Sequence, residues 1–283
     1  MIPRMVRATY TPQSVTDGAG VNLMRSMPIP KLDYLDPFLL FDHFGSNNPR
    51  DYLAGFPMHP HRGIETVTYI LEGELHYKDS LGNAGKISKG GVQWVTAGHG
   101  ILHEEMPRNK VGKMLGFLLW VNLPSELKLC PPYSREIPST SIPEIHGAEG
   151  LKIRVIAGEY ENQAGPITGM AANLLFLDVA LPPATPFSCP IPSGHTAFIY
   201  VYVGEGFAPQ KYEDIKISAL KLAEFRDGDS IDIYTKDNAI RFLLTAGQPF
   251  DEPVVRHGSI VMNTEAEIEQ ALFELKSGLF ISK

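Results

Sequence analysis

The sequence predicts an all-β protein built as two tandem, jelly-roll-like β-barrels with a short C-terminal helix. Three observations carry this. Twenty-three prolines and 26 glycines punctuate the 283 residues so often that long helices are excluded over most of the chain. Short β-branched and aromatic runs recur between them, the spacing of a sandwich or barrel. The length suits two domains, each with its own core.

Strands are expected at 66–71, 92–97, 114–123, 151–157, 174–181, 197–203, 230–234 and 240–245. The Pro- and Ser-rich stretch 131–143 interrupts them and reads as a linker, placing a boundary near residue 140 between an N-terminal domain, 1–140, and a C-terminal domain, 141–283. One helix is expected at the end. Thr264 as N-cap with Glu267 three residues on forms a capping box, Ile268, Ala271, Leu272 and Leu275 supply the apolar stripe, and Gly278 closes it.

The halves read as weak repeats. The approach to Leu71-Glu72-Gly73 matches that to Tyr202-Val203-Gly204, and Lys89-Gly90-Gly91 before 92–97 resembles Asp227-Gly228-Asp229 before 230–234. Carried across at the same offsets, His59 and His61 fall opposite Pro190 and Pro192, and His103 and Glu105 opposite Arg241 and Leu243. The second half keeps the scaffold and lacks metal ligands.

Composition limits the function classes. With 43% apolar and 20% charged residues and no apolar stretch of bilayer length, the chain reads as globular with no membrane association. Met1 to Tyr10 carries Arg4 and Arg7 but no apolar segment, so no secretory signal is read and a cytoplasmic protein is expected. A net charge of −7 disfavours direct contact with nucleic acid. Cys130 and Cys189 stand apart, outside any CxxC arrangement, and read as ordinary buried thiols.

The chemistry is concentrated in two dyads, His59-Pro60-His61 and His103-Glu104-Glu105. Residues at i and i+2 of an extended segment point to one side, so each dyad can aim two donors into a barrel interior. Imidazole with carboxylate suits divalent iron, copper, nickel, cobalt, manganese or zinc, whereas the lack of cysteine donors argues against iron–sulfur and structural zinc sites. Glu65 shares the parity of His59 and His61, so the residues alone leave Glu65 and Glu105 as alternatives. His43, His76, His99, His146, His195 and His257 have no partner at ligand spacing. His99 lies in a glycine-flanked turn before the second dyad, where it can reach a ligand or line the pocket mouth. Tyr69 shares the parity of Glu65 and is expected in the core. No Ser-His-acid set, phosphate-cradling glycine loop or dinucleotide fingerprint is visible.

Four runs resemble the pirin family of the cupin superfamily: Leu35-Asp36-Pro37-Phe38-Leu39-Leu40-Phe41-Asp42-His43-Phe44, His59-Pro60-His61-Arg62-Gly63-Ile64-Glu65-Thr66-Val67, Gln93-Trp94-Val95-Thr96-Ala97-Gly98-His99-Gly100-Ile101-Leu102-His103-Glu104-Glu105-Met106-Pro107, and Pro253 to Thr264. The resemblance spans nearly the whole chain and implies a bicupin. It implies one metal, usually iron, held in the N-terminal cupin by His59, His61, His103 and Glu105, with Glu65 supporting or in the core. Among cupins at large, a glutamate three or four residues after an HxH pair serves instead, the place of Glu65.

Two functions follow from the resemblance. One is a metal-dependent dioxygenase of the quercetin 2,3-dioxygenase type, which takes a flavonol or related small aromatic substrate and O2 and releases carbon monoxide. Glu105, a more mobile ligand than imidazole, would there be the catalytic base for the substrate hydroxyl. The other is a metal- or redox-responsive regulator that binds a partner protein.

Overall fold

In the computed structural model, which describes residues 2–108, 112–147 and 150–281, all eight expected strands are present, the one expected at 197–203 running on to Ala208. Two compact units divide the chain. One comprises Gln13–Pro28, Pro37–Thr140 and Phe250–Lys283, the other Met1–Pro12, Ile29–Asp36 and Ser141–Pro249. The units are therefore not two consecutive lengths of chain. A crossing does fall between Thr140 and Ser141, but each unit also takes in segments from the other end of the sequence.

The unit that carries both dyads is a barrel of two antiparallel sheets. A seven-stranded sheet runs in the order Tyr133–Ile137, Val92–Thr96, Ile64–Glu72, Met114–Asn122, Phe38–Ser46, Val21–Met27, Gln13–Asp17. A four-stranded sheet runs Phe56–His61, Ile101–Pro107, Glu74–Asp79, Ala84–Ser88. The central strand Ile64–Glu72 is buried through Leu71 on both faces, which explains its near-continuous run of β-branched and aromatic residues. The edge strands Gln13–Asp17, Tyr133–Ile137 and Ala84–Ser88 are short and mostly exposed, as edges are when they avoid pairing with another chain.

The expected linker contains one of these edges. Tyr133–Ile137 pairs antiparallel with Val92–Thr96, Ile137 opposite Val92. The flanking prolines read as breakers, yet on an edge they forfeit no ladder bond.

In the second unit, seven strands repeat that order: Val6–Tyr10, Lys221–Phe225, Thr196–Ala208, Ile240–Gly247, Leu175–Leu181, Lys152–Ala157, Glu144–His146. Pro186–Pro190 pairs with Ser230–Tyr234 as Phe56–His61 pairs with Ile101–Pro107. This corrects the offsets of the repeat. Ser230–Tyr234 matches Ile101–Pro107, not Val92–Thr96, because a similar glycine turn precedes more than one strand. The strands that match the two dyads are thus Pro186–Pro190 and Ser230–Tyr234; Pro192 falls beyond the first of them, and Arg241 and Leu243 lie on Ile240–Gly247 instead. Cys189 stands opposite Ile231 and Phe187 opposite Ile233, and all four belong to the core of this unit.

The helix spans Glu265–Ser277. Thr264 accepts from the Glu267 amide at 3.3 Å, the Glu267 carboxylate accepts from the Thr264 hydroxyl at 2.8 Å and from the Asn263 amide at 3.1 Å, and Gly278 ends the helix with φ of 74°, the left-handed conformation glycine adopts without a Cβ penalty. Ile268 and Ala271 pack with Ile260, Met262 and Phe280. Among the described residues no helix is long and apolar enough to cross a membrane.

Candidate metal centre

The two dyads meet on neighbouring strands of the four-stranded sheet. His59 stands opposite His103 and His61 opposite Ile101, with a bulge between His103 and Glu105 that brings Glu105 opposite Phe56. Phe56–His61 is an edge strand, so Pro57 and Pro60 cost the ladder nothing.

The ligand nitrogens of His59, His61 and His103 all lie within 4.8 Å of one another. Nε2 of His59 is 3.0 Å from Nε2 of His61 and 3.0 Å from Nε2 of His103. Nδ1 of His59 donates to the Pro57 carbonyl at 2.9 Å. A carbonyl only accepts, so Nδ1 holds the ring proton and Nε2 presents its lone pair to the other two rings. One lone pair cannot serve two hydrogen bonds in good geometry, whereas a cation satisfies all three nitrogens together. Nitrogens about 3.0 Å apart can both reach one ion at an ordinary metal–nitrogen distance of about 2.1 Å.

Electrostatics prepares the same use. Burial lowers the pKa of all three histidines. His103 is brought down to about 3, with His59 adding to burial. His61 lies well below the usual histidine value through burial and then its neighbours His103 and His59, opposed by the Ser259 backbone. At neutral pH the rings are uncharged and able to bind a metal.

Glu105 stands beside this group and outside it. Its Oε1 accepts from the Thr68 hydroxyl at 3.0 Å, and burial raises its pKa to about 7, against the lowering effect of Thr68. Glu105 and the three histidines line one cavity of about 720 Å3, with Phe56, Leu40, Leu118 and Trp120 among its apolar walls. Trp120 meets His61 edge-on, ring centroids 5.2 Å apart. On the polar wall Arg25 grips Asp42 with two bonds of 2.9 and 2.7 Å and reaches Asp17 at 2.7 Å.

Glu65 points elsewhere. Gly63, φ of 73°, separates Phe56–His61 from Ile64–Glu72, and parity does not carry through that turn. The Glu65 carboxylate accepts from Trp94 Nε1 at 3.1 Å and Thr96 Oγ1 at 2.7 Å. Tyr69, on the same face, is fully buried near Phe117. His99 does not line the cavity of the histidines. Its amide donates to the Cys130 carbonyl at 2.9 Å and it borders a second cavity with Arg62, Glu274 and Phe280. Cys189 is buried, as expected, while Cys130 is only half-buried.

What sequence reasoning missed is the C-terminal hairpin, Val255–His257 with Ile260–Met262. The Ser259 hydroxyl donates to the Pro60 carbonyl, and the Val261 amide to the Arg62 carbonyl at 3.0 Å. Lys128, 1% exposed, donates to the Gly63 carbonyl at 2.9 Å, Asn122 Oδ1 at 2.6 Å and the Val261 carbonyl at 3.1 Å. Arg62 reaches Glu274 on the helix at 2.7 Å. These bonds fix the chain just after His61. No local pattern announces them, since the partners lie far apart in sequence.

The family model described as pirin matches residues 20–121, and that described as the pirin C-terminal cupin domain matches 176–281. The chain belongs to the pirin family. Among its pirin-family relatives, a Pseudomonas aeruginosa protein provisionally named a quercetin 2,3-dioxygenase is 42% identical over 284 residues, 98% of each chain. Human pirin is 41% identical over 269 residues, 93% of this chain and 89% of the human one. A solved structure of quercetin 2,3-dioxygenase from Acinetobacter baumannii matches with a TM-score of 0.88 at 32% identity over 99% of each chain. Both units are thus cupin folds, as the resemblance implied, and a histidine-rich site is present in one of them.

Proposed function

We propose that this pirin-family protein is a metal-dependent dioxygenase acting on a flavonol or related phenolic aromatic, with His59, His61, His103 and Glu105 as the ligand set. The observation that carries the reading is the convergence of three neutral imidazoles, beside a buried carboxylate, on a cavity of about 720 Å3. That volume lies within the range of small-molecule sites, about 300–1,000 Å3. The names of the Pseudomonas and Acinetobacter proteins agree with it.

A divalent ion bound there, iron by the family and any of copper, nickel, cobalt, manganese or zinc by the donor set, supplies Lewis acidity toward a substrate oxygen. The chain's own groups supply the rest. Leu40, Leu118, Phe56 and Trp120 offer flat apolar walls that hold an aromatic ring and keep water from it. Asp17, whose side chain is 47% exposed beside Arg25, offers an acceptor for a ring hydroxyl. Glu105 is the base: its carboxylate, buried beside the imidazoles and bonded to Thr68, takes a phenolic proton onto its oxygen and can return it.

The test is reconstitution of metal-free protein with Fe(II), Cu(II), Ni(II), Co(II) and Mn(II) separately, without oxygen, followed by quercetin turnover with O2 uptake. Metal-dependent turnover that disappears in His61→Ala and Glu105→Gln establishes the reading and names the competent ion. Stoichiometric metal binding with no turnover by any ion refutes the enzyme and assigns the site to a regulator that binds a partner protein.

A further inference from the structure

The hydrogen bond between Thr68 and Glu105 lies where the site's behaviour is decided. Thr68 sits in the central strand, opposite Gln93 on one side and Leu118 on the other, and is 3% exposed. Its hydroxyl makes the one hydrogen bond that the Glu105 carboxylate has among the described residues. An ionised carboxylate can accept about four. Glu105 is 4% exposed, and its remaining acceptor capacity faces the cavity it shares with the histidines.

Two cavities adjoin that carboxylate. Thr68 and Glu105 both border a small cavity of about 20 Å3 whose other walls include Val21, Leu75 and Leu118. The larger is that of the three imidazoles, whose ligand nitrogens gather without Glu105. One carboxylate oxygen is thus held by the Thr68 hydroxyl, beside a cavity that also receives the three imidazoles.

We propose that Thr68 is the positioning residue of this site: its hydroxyl holds the Glu105 carboxylate outside the imidazole cluster, and Glu105 reaches a metal there by giving up that hydrogen bond. The inference rests on the reading of His59, His61, His103 and Glu105 as the ligand set. It makes the hydroxyl a competitor of the metal for one carboxylate. It also gives the protein two coordination states, three imidazoles alone or three with the carboxylate, so one position can open for a substrate oxygen without loss of the ion.

The experiment titrates Co(II) into metal-free protein against a competing chelator and follows visible absorption, whose intensity reports coordination number. Thr68→Val removes the hydroxyl and keeps the branched shape. It should bind cobalt about five- to tenfold more tightly, the worth of one net hydrogen bond, with an altered cobalt spectrum. Thr68→Ser, which keeps the hydroxyl, should match the natural protein. In a Glu105→Gln background, Thr68→Val should change nothing. Thr68→Ala serves the same purpose if far-UV circular dichroism shows that Thr68→Val does not fold. Unchanged or weaker cobalt binding in Thr68→Val, with Glu105→Gln weakening it, overturns the positioning role and leaves the ligand set standing. If Glu105→Gln alters neither affinity nor spectrum, Glu105 is not a ligand and the inference falls with that part of the reading.

Discussion

Metal binding to three histidines makes a quantitative demand on stability, and His61→Ala is the perturbation that tests it. His61 is 3% exposed, and its Nε2 lies 3.0 Å from that of His59. A ligand that binds only the folded state at a hundredfold excess over its Kd adds about 2.7 kcal/mol. In a domain of this size each kcal/mol moves Tm by about 2–4 °C, so the expected rise is about 5–11 °C. Losing a group that merely supports a ligand weakens metal sites by about ten- to a hundredfold, and loss of the ligand itself costs at least the upper figure. At the same ion concentration the gain in His61→Ala then falls to about 0.4 kcal/mol or less, within the scatter of a melting curve. The metal-free variant should still unfold cooperatively, because the sheets and apolar cores on either side of the site do not pass through His61. The assay is a melting curve of chelator-treated protein with and without Co(II) or Ni(II), paired with metal content after gel filtration. A variant whose Tm rises as far as that of the natural protein, or that retains one ion per chain, would refute the histidine assignment. A variant that fails to fold without metal would make the ion structural and weaken the enzyme reading.

Three further outcomes follow from single residues. Gly63→Ala places a Cβ 1.9 Å from the Val261 carbonyl oxygen at a φ of +73°; it should destabilise by at least about 2 kcal/mol in urea titration and lower metal content, because the same turn carries the chain out of His61. Glu65→Gln keeps an acceptor for Trp94 and Thr96, so it should cost about 1 kcal/mol and leave metal stoichiometry unchanged; loss of the ion would return Glu65 to the ligand set. His43 is brought down to about 4 by burial, with Lys113 adding, while an unfolded histidine protonates near about 6.5. Below that pH the unfolded chain holds a proton the folded one lacks, so stability falls as pH drops from about 6.5 and levels off below about 4. The His43 share is at most about 2 kcal/mol at pH 5; urea midpoints at pH 7 and pH 5 should differ less in His43→Gln than in the natural protein, and an equal difference would remove His43 from the account.

The parts of this protein legible in its sequence are those carried by short-range periodicity. His59 and His61, and His103 and Glu105, keep their i, i+2 spacing because each pair lies within one strand, and the capping box at Thr264 is local by nature. Parity failed where it had to pass through a turn. Glu65 looked inward when counted from His61, and the φ of Gly63 turned it to the other face. Counting also failed across the repeat, where a turn motif common to several strands shifted the match from Ser230–Tyr234 to the wrong partner. The exchange of segments between units was illegible for a stronger reason. Val6 opposite Phe225 and Lys128 bonded to Val261 are encounters whose partners leave no mark on each other's neighbours in the sequence.

The two barrels share a strand order and differ where the chemistry is. In one, the facing positions of the paired short strands hold Cys189 and Ile231, Phe187 and Ile233, all in the core. In the other they hold His59 and His103, with His61 and Glu105 beside them. Buried apolar side chains add about 1.5–3 kcal/mol each, whereas buried imidazole and carboxylate groups cost stability unless something satisfies them. The first barrel therefore gives up core energy on the same pair of strands from which the second draws it. The bonds from Lys128, Arg62 and Ser259 all converge on the turn after His61, which is where a barrel with a polar interior needs to be held from outside. A metal among the imidazoles repays that deficit only when it is bound, and this is why the stability of the first barrel, and not of the second, should follow the ion.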